Sequence, residues 1–377
     1  MDAARGLAML LVFTAHFTAV YLARHTASVL AELPLLVGMI ASPTFALMSG
    51  TMLGTLFVLQ RSTFDALRLK LIDRSLFLLT VAHVLIACSR LVYERHPLDA
   101  LRMTFMTDAI GVSIIVGVLI IDRVSSRTRL LAGAFLYLFS SAQSLLWLPH
   151  GHAAHLVKEI LVGAYPLSAL AYTVPIIPWL GVYLACTAFG EHVGELYRRN
   201  DTRGVEVRFF MLGTLSLACG IGLHLFGSVV DPARPHPGKQ HLMELIEPLF
   251  SPTMKLPPEP AYLLFFGGLG ALLVWGIAVL DHRGIASAVT RWAAMLGRCS
   301  LVVFIAQFYV YYSVIGAAHV PYTRAWPALF AATLVVISLF AAWWDARSLN
   351  SALTIGLVPV RDWLRARHSW QRGGFQP

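Results

Sequence analysis

Charge is what this sequence has least of. Only 13% of its 377 residues are Asp, Glu, Lys or Arg, against about 25% in an ordinary soluble domain. So sparse a set cannot cover a water-soluble globule of this length. With 57% apolar residues and a mean hydropathy of +0.69, much of the chain has the bilayer as its solvent. Cysteine is scarce as well. Cys88, Cys186, Cys219 and Cys299 all lie inside apolar runs, with no CxxC pair and no disulfide framework. Low-complexity tracts and repeats are missing. The net charge of +9 is no nucleic-acid signal, because Lys and Arg come in short clusters between apolar runs and no basic groove with interleaved aromatics is present. Gly267, Gly268 and Gly270 lack any phosphate-loop context, which argues against a nucleotide site there.

What the sequence does have is apolar runs of bilayer length, at 6–23, 35–60, 75–89, 105–121, 130–148, 169–190, 209–230, 261–280, 293–316 and 327–344. The third is short and holds His83, so its ends are expected near Leu71 and Val92. Only helices or closed barrels satisfy their backbone in lipid. The expected fold is therefore an all-α integral membrane protein, a polytopic bundle of about ten transmembrane helices. With the N-terminus inside, 20 of the 29 Lys and Arg fall on the cytoplasmic side, so both termini are expected in the cytoplasm. The cytoplasmic (inner) membrane is the expected location. One transmembrane domain, 1–345, precedes a basic cytoplasmic tail, 346–377. Within that tail, 358–370 reads as an amphipathic helix resting on the interface through Trp363, Leu364 and Trp370. The largest outer loops are 150–168 and 231–260. The opening 23 residues fit a cleaved signal peptide poorly, given Asp2, the embedded His16 and the spans that follow at once. The chain opens abruptly on its first motif, so a start a few residues upstream is expected.

Ionisable groups at membrane depth are costly and point to function. The first run carries three. Asp2 and Arg5 are three residues apart and share a face. Arg5 and His16 are eleven apart, close to three turns, so all three make one polar stripe. At about 1.5 Å per residue His16 lies roughly 16 Å beyond Arg5, near the midplane of a core about 30 Å thick. An imidazole there is either a helix-packing group or a general base reached from both sides. A lone histidine favours packing; the three-residue stripe favours chemistry.

Other polar residues weigh less. His83 and His224 each stand alone in an apolar run and read as groups bonded to a neighbouring helix. Asp108 is read equally as a partner of Arg102 or as a cavity wall. Trp179, after Pro178 at an expected kink, packs on a ligand or in lipid. Ser49-Gly50 serves close helix approach first and a pathway second. His150, His152 and His155 look like a metal cluster by composition, but without a carboxylate at helical spacing they read as a solvated loop near the outer mouth, and no metal is expected.

Asp2-Ala-Ala-Arg5-Gly6 with His16 after ten intervening residues resembles the opening of the transmembrane acyltransferase superfamily, whose acyltransferase-3 branch carries an Arg-x10-His motif. Six further segments resemble the bacterial relatives of heparan-α-glucosaminide N-acetyltransferase more closely. They are Ser42-Pro-Thr-Phe-Ala-Leu-Met-Ser-Gly50, Ile177-Pro-Trp-Leu-Gly181 with Ala188-Phe-Gly190, Lys255-Leu-Pro-Pro258, and Leu296-Gly-Arg298 leading into Phe304-Ile-Ala-Gln307. They follow the family's order up to about residue 312. The resemblance implies a cytosolic acyl-CoA donor, commonly acetyl-CoA, and a glycan-type acceptor, a sugar amine or hydroxyl, on the far side. Arg5, Arg74 and Arg298 are then the candidate donor-binding cations, and His16 the candidate base. The animal enzyme has Asn at the position of His16 and its essential His further on, so His25 is the rival base. Relatives often carry His where this chain has Gln307. Membrane lipid is a further partner, and a homo-oligomer is compatible with the reading. The alternative class is a transporter or flippase without covalent chemistry, against which stands the lack of half-to-half symmetry.

Overall fold

The computed structural model describes residues 1–25, 29–92, 97–163, 173–229, 255–285 and 287–359. Among them the chain is helical throughout, apart from one isolated bridge between Thr104 and Thr173. The main helices are α1 (Asp2–Leu22), α2 (Glu32–Leu59), α3 (Arg61–Arg90), α4 (Met106–Ile120), α5 (Ser126–Leu146) and α6 (Ile176–Arg198). They continue with α7 (Thr202–Gly227), α8 (Pro260–His282), α9 (Ser287–Arg298), α10 (Ser300–Gly316) and α11 (Trp326–Ala346). Eight are long and apolar enough to cross a membrane, and the bent pair α9–α10 makes a ninth if taken as one span. The shorter apolar α4 corresponds to the fourth expected run. This is a multi-pass integral membrane protein.

The bundle is built from close helix pairs, α2 with α6, α5 with α6, α7 with α8, and α1 with α9. Without a hydrophobic drive between helices in lipid, small residues that let backbones touch supply the packing. Gly6 of α1 lies on the backbone of Ala293, and Gly297 of α9 lies on the backbone of Asp2, so the two helices meet main chain to main chain. That contact holds the start of α1, and hence Arg5, in place. The largest buried cluster surrounds α1 and α10, with Met9, Phe13, Phe17, Val303, Phe308 and Tyr311 at its centre.

Several boundaries depart from the expected ones. The sixth span begins at Ile176, because Pro175 is its N-cap residue and Pro178 sits in its first turn, where a missing N–H costs nothing. Pro178 is therefore a start signal, not an interior kink. The ninth run is broken. α9 ends at Arg298, Cys299 interrupts, and α10 leaves at 78° to it. The third helix extends well beyond 75–89, over 30 residues. Short π-helical stretches interrupt three helices, at Thr18–Leu22, Leu78–Ala82 and Tyr309–Gly316. Beyond α11 the chain turns back onto the bundle. Leu353 enters the main core, and the buried Asp73 carboxylate accepts hydrogen bonds from the Ile355 and Val358 amides at 2.9 and 3.5 Å. Most of the expected outer loop 231–260 and of the amphipathic stretch 358–370 lies outside the described residues.

Candidate active site

α1 and α10 carry the site. Ser300, Phe304 and Gln307 recur at helical spacing on α10 and face Arg5 and His16 on α1. Arg5 donates to Ser300 Oγ at 2.6 Å, approaches Met52 Sδ at 3.8 Å and pairs with Asp2 at 3.6 Å. The expected Asp2–Arg5 pair is thus present, with Asp2 at the more exposed end.

Beside Arg5 opens a cavity of about 190 Å³ lined mostly by apolar side chains, among them Phe45, Leu53, Leu78 and Ile114. Its polar lining comes from Arg5, Arg74, Ser49, Thr107, Tyr183 and Ser300. Arg74 acts on Arg5 through space and has no carboxylate partner among the described residues. Its sequence neighbour Asp73 is occupied with the Ile355 and Val358 amides. Two guanidiniums on one cavity that no carboxylate lines, with Asp2 pairing loosely with Arg5 at 3.6 Å, can hold an anion.

His16 is just past the cavity. Phe304 lines the cavity and also faces the imidazole, with ring centres 6.4 Å apart. Phe308 and Tyr312 meet the imidazole edge-on at 4.8 and 5.9 Å. His16 Nδ1 donates to the Gln307 amide oxygen at 2.9 Å. With Nδ1 protonated, Nε2 keeps its lone pair. The Gln307 Nε2 is buried with no partner among the described residues. His16 precedes the first π-helical stretch by two residues, His83 follows the second directly, and Gln307 precedes the third by two. Such stretches re-aim side chains and recur at functional sites.

The other expected site residues sit elsewhere. His25 is exposed at the far end of α1, beside Tyr21 and Tyr322 at 5.3 and 6.0 Å. Arg298 is off the cavity wall and is held by Asp345, with Nη2 2.5 Å and Nε 3.2 Å from Oδ2. Asp108 neither pairs with Arg102 nor lines the cavity. It accepts from His83 Nδ1 at 3.0 Å and from its own helix start, the Phe105 amide, at 2.7 Å. His83 is accordingly not bonded to backbone alone; its partner is a carboxylate. Trp179 is buried between helices, with Ala46, Ala109 and Tyr262, and touches neither the cavity nor lipid. His152 and His155 lie on a short helix, His152–Leu161. Among the described residues no group of three His, Cys, Asp or Glu side chains is arranged to hold a metal ion. Ser300, which holds Arg5, and Phe304, which lies between the cavity and His16, carry no chemical signature of their own in the sequence.

A membrane bundle with a cationic, apolar-walled cavity leading to a histidine inside the bundle has the layout of an enzyme working on a charged, thin substrate. Residues 1–224 match the family model described as "Heparan-alpha-glucosaminide N-acetyltransferase, catalytic". The match spans more than half of the chain, which belongs to that family of membrane acyltransferases. Residues 193–349 match a second model, described as "OpgC protein". No curated protein and no solved structure matches the chain. The protein is thus a multi-pass membrane enzyme of the acyltransferase class.

Proposed function

We propose that the enzyme moves an acetyl or other short acyl group from cytosolic acyl-CoA to an amine or hydroxyl of an extracytoplasmic glycan. Arg5 and Arg74 hold the anionic phosphates or the pantetheine amides at the mouth. The apolar walls take the arm, and the thioester reaches past Phe304 to His16. There the Nε2 lone pair removes the proton from the attacking amine or hydroxyl as its bond to the acyl carbon forms. The C–S bond breaks and the CoA thiolate leaves, taking a proton back. The Gln307 Nε2–H is an available donor to the carbonyl oxygen while it carries charge.

The observation that carries this reading is the join between the Arg5–Arg74 cavity and the His16–Gln307 pair across a single side chain, Phe304. His25, exposed and nine residues further on, has no such connection. The reading also places one domain over residues 1–345 in the cytoplasmic membrane, with both termini and the tail in the cytoplasm. The test is transfer of labelled acetyl from acetyl-CoA to glucosamine or a short glucosamine-containing oligosaccharide by purified protein. His16→Ala is expected to lower kcat by about 10²- to 10⁴-fold while acetyl-CoA still binds. A variant as active as wild type, or loss that follows His25→Ala instead, overturns the assignment of the base.

A further inference from the structure

Asp73 is a carboxylate that the acyl-transfer steps do not use. It lies one position before Arg74 on α3 and is fully buried. A carboxylate withdrawn from water is costly unless donors replace the water. Among the described residues no cation pairs with it, and its donors are the Ile355 and Val358 amides at 2.9 and 3.5 Å. Both belong to the segment that follows α11.

That segment grips the bundle at several points. Asn350 accepts from Trp344 Nε1 at 3.1 Å, and its Nδ2 lies 3.7 Å from Cys299 Sγ at the break between α9 and α10. Leu353 is buried in the main core. The chain then turns at Gly356, whose φ of +91° suits glycine, between the two residues that donate to Asp73. A Cβ there would meet nothing within 4 Å, so the glycine serves the turn and not a close approach. Two of these grips adjoin the donor cavity. Ser300, which accepts from Arg5 at 2.6 Å, follows Cys299, and Arg74 follows Asp73. Adjacent residues of a helix move together, so anchoring Asp73 fixes the rotation of α3 at Arg74. Released from the amides, the carboxylate gains by turning towards water, and Arg74 leaves the cavity wall with it.

Building on the acyl-transfer reading, we propose that Asp73 is a positioning residue for the acyl-CoA donor. Bonded to the Ile355 and Val358 amides, it holds the Arg74 guanidinium on the cavity wall. The segment after α11 is thereby part of the frame of the donor site. Asp73 does not touch the donor and acts through Arg74.

The experiment measures acetyl-CoA binding by calorimetry, and kcat and KM for acetyl-CoA with glucosamine as acceptor. Wild type is compared with Asp73→Ala, Asp73→Asn, Gly356→Ala and Arg74→Gln, and with Asp73→Ala and Gly356→Ala each combined with Arg74→Gln. Asp73→Ala is expected to raise KM about tenfold with kcat nearly unchanged. Asp73→Asn keeps a carbonyl oxygen for the Ile355 amide and is expected to stay within about threefold of wild type. Gly356→Ala strains the turn while every cavity residue stays in place, so KM is expected to rise in the same direction. It carries the test if Asp73→Ala does not fold. In the Arg74→Gln background neither change is expected to raise KM further, because both act through Arg74. Effects that multiply in the combined variants, or a KM unchanged in Asp73→Ala and Gly356→Ala alike, overturn the proposal while acyl transfer itself stands. A wild type that neither binds acetyl-CoA nor transfers acetyl overturns the acyl-transfer reading and this proposal with it.

Discussion

At the scale of single residues, the chemistry depends on which nitrogen of His16 is free. Gln307 decides that, because its amide oxygen accepts from Nδ1 at 2.9 Å and so leaves the lone pair on Nε2, the atom proposed as the base. Gln307→Leu is expected to lower kcat at least tenfold with little change in KM for acyl-CoA. Gln307→Glu, which keeps the acceptor for Nδ1 but lacks the Nε2–H donor, is expected to lose less of the rate than Gln307→Leu and to move the acid limb of the pH–rate profile. An equal loss in both variants contradicts the positioning role.

The elements show how far a sequence reveals such a site. The Asp2–Arg5–His16 stripe was legible because all three residues lie in the regular α-helical part of α1, Asp2–Phe17, where 3.6-residue spacing holds. The positions of the apolar runs were legible from their length and composition. The π-helical stretches were not, since an extra residue in a turn leaves no compositional mark, yet they adjoin His16, His83 and Gln307. Nor was the break at Cys299, because Gly297 just before it lies inside α9 and packs on the Asp2 backbone, so it reads as a packing residue and not as a helix end. That break moved Arg298 from the expected donor site to a pair with Asp345. The α1–α9 contact yields the prediction for this scale. Gly297→Val drives two methyls into the Asp2 backbone, so α1 must shift. Overpacking of this kind costs about 1–3 kcal/mol. A lowered Tm in detergent with a raised KM for acyl-CoA is expected, because Arg5 moves with α1. An unchanged Tm and KM contradict the packing account.

For the molecule as a whole, the claim is that one bundle joins a donor mouth on one face to an acceptor entrance on the other, with His16 between them. Arg5 and His16 are eleven residues apart on one helix, roughly half of the hydrocarbon thickness. A reaction on one surface alone needs no such separation. The same geometry serves a transporter, but a transporter leaves the acyl group on its carrier, and the family match makes the chain an acyltransferase. The most direct measurement uses proteoliposomes with the protein in known orientation and glucosamine or an oligosaccharide sealed inside. Labelled acetyl-CoA is supplied only outside, on the face bearing Arg5. Labelled acetylated acceptor inside the vesicles, with free CoA released outside together with the unreacted thioester and no product from His16→Ala vesicles, is the predicted result. Product formed only when donor and acceptor share one side contradicts the account.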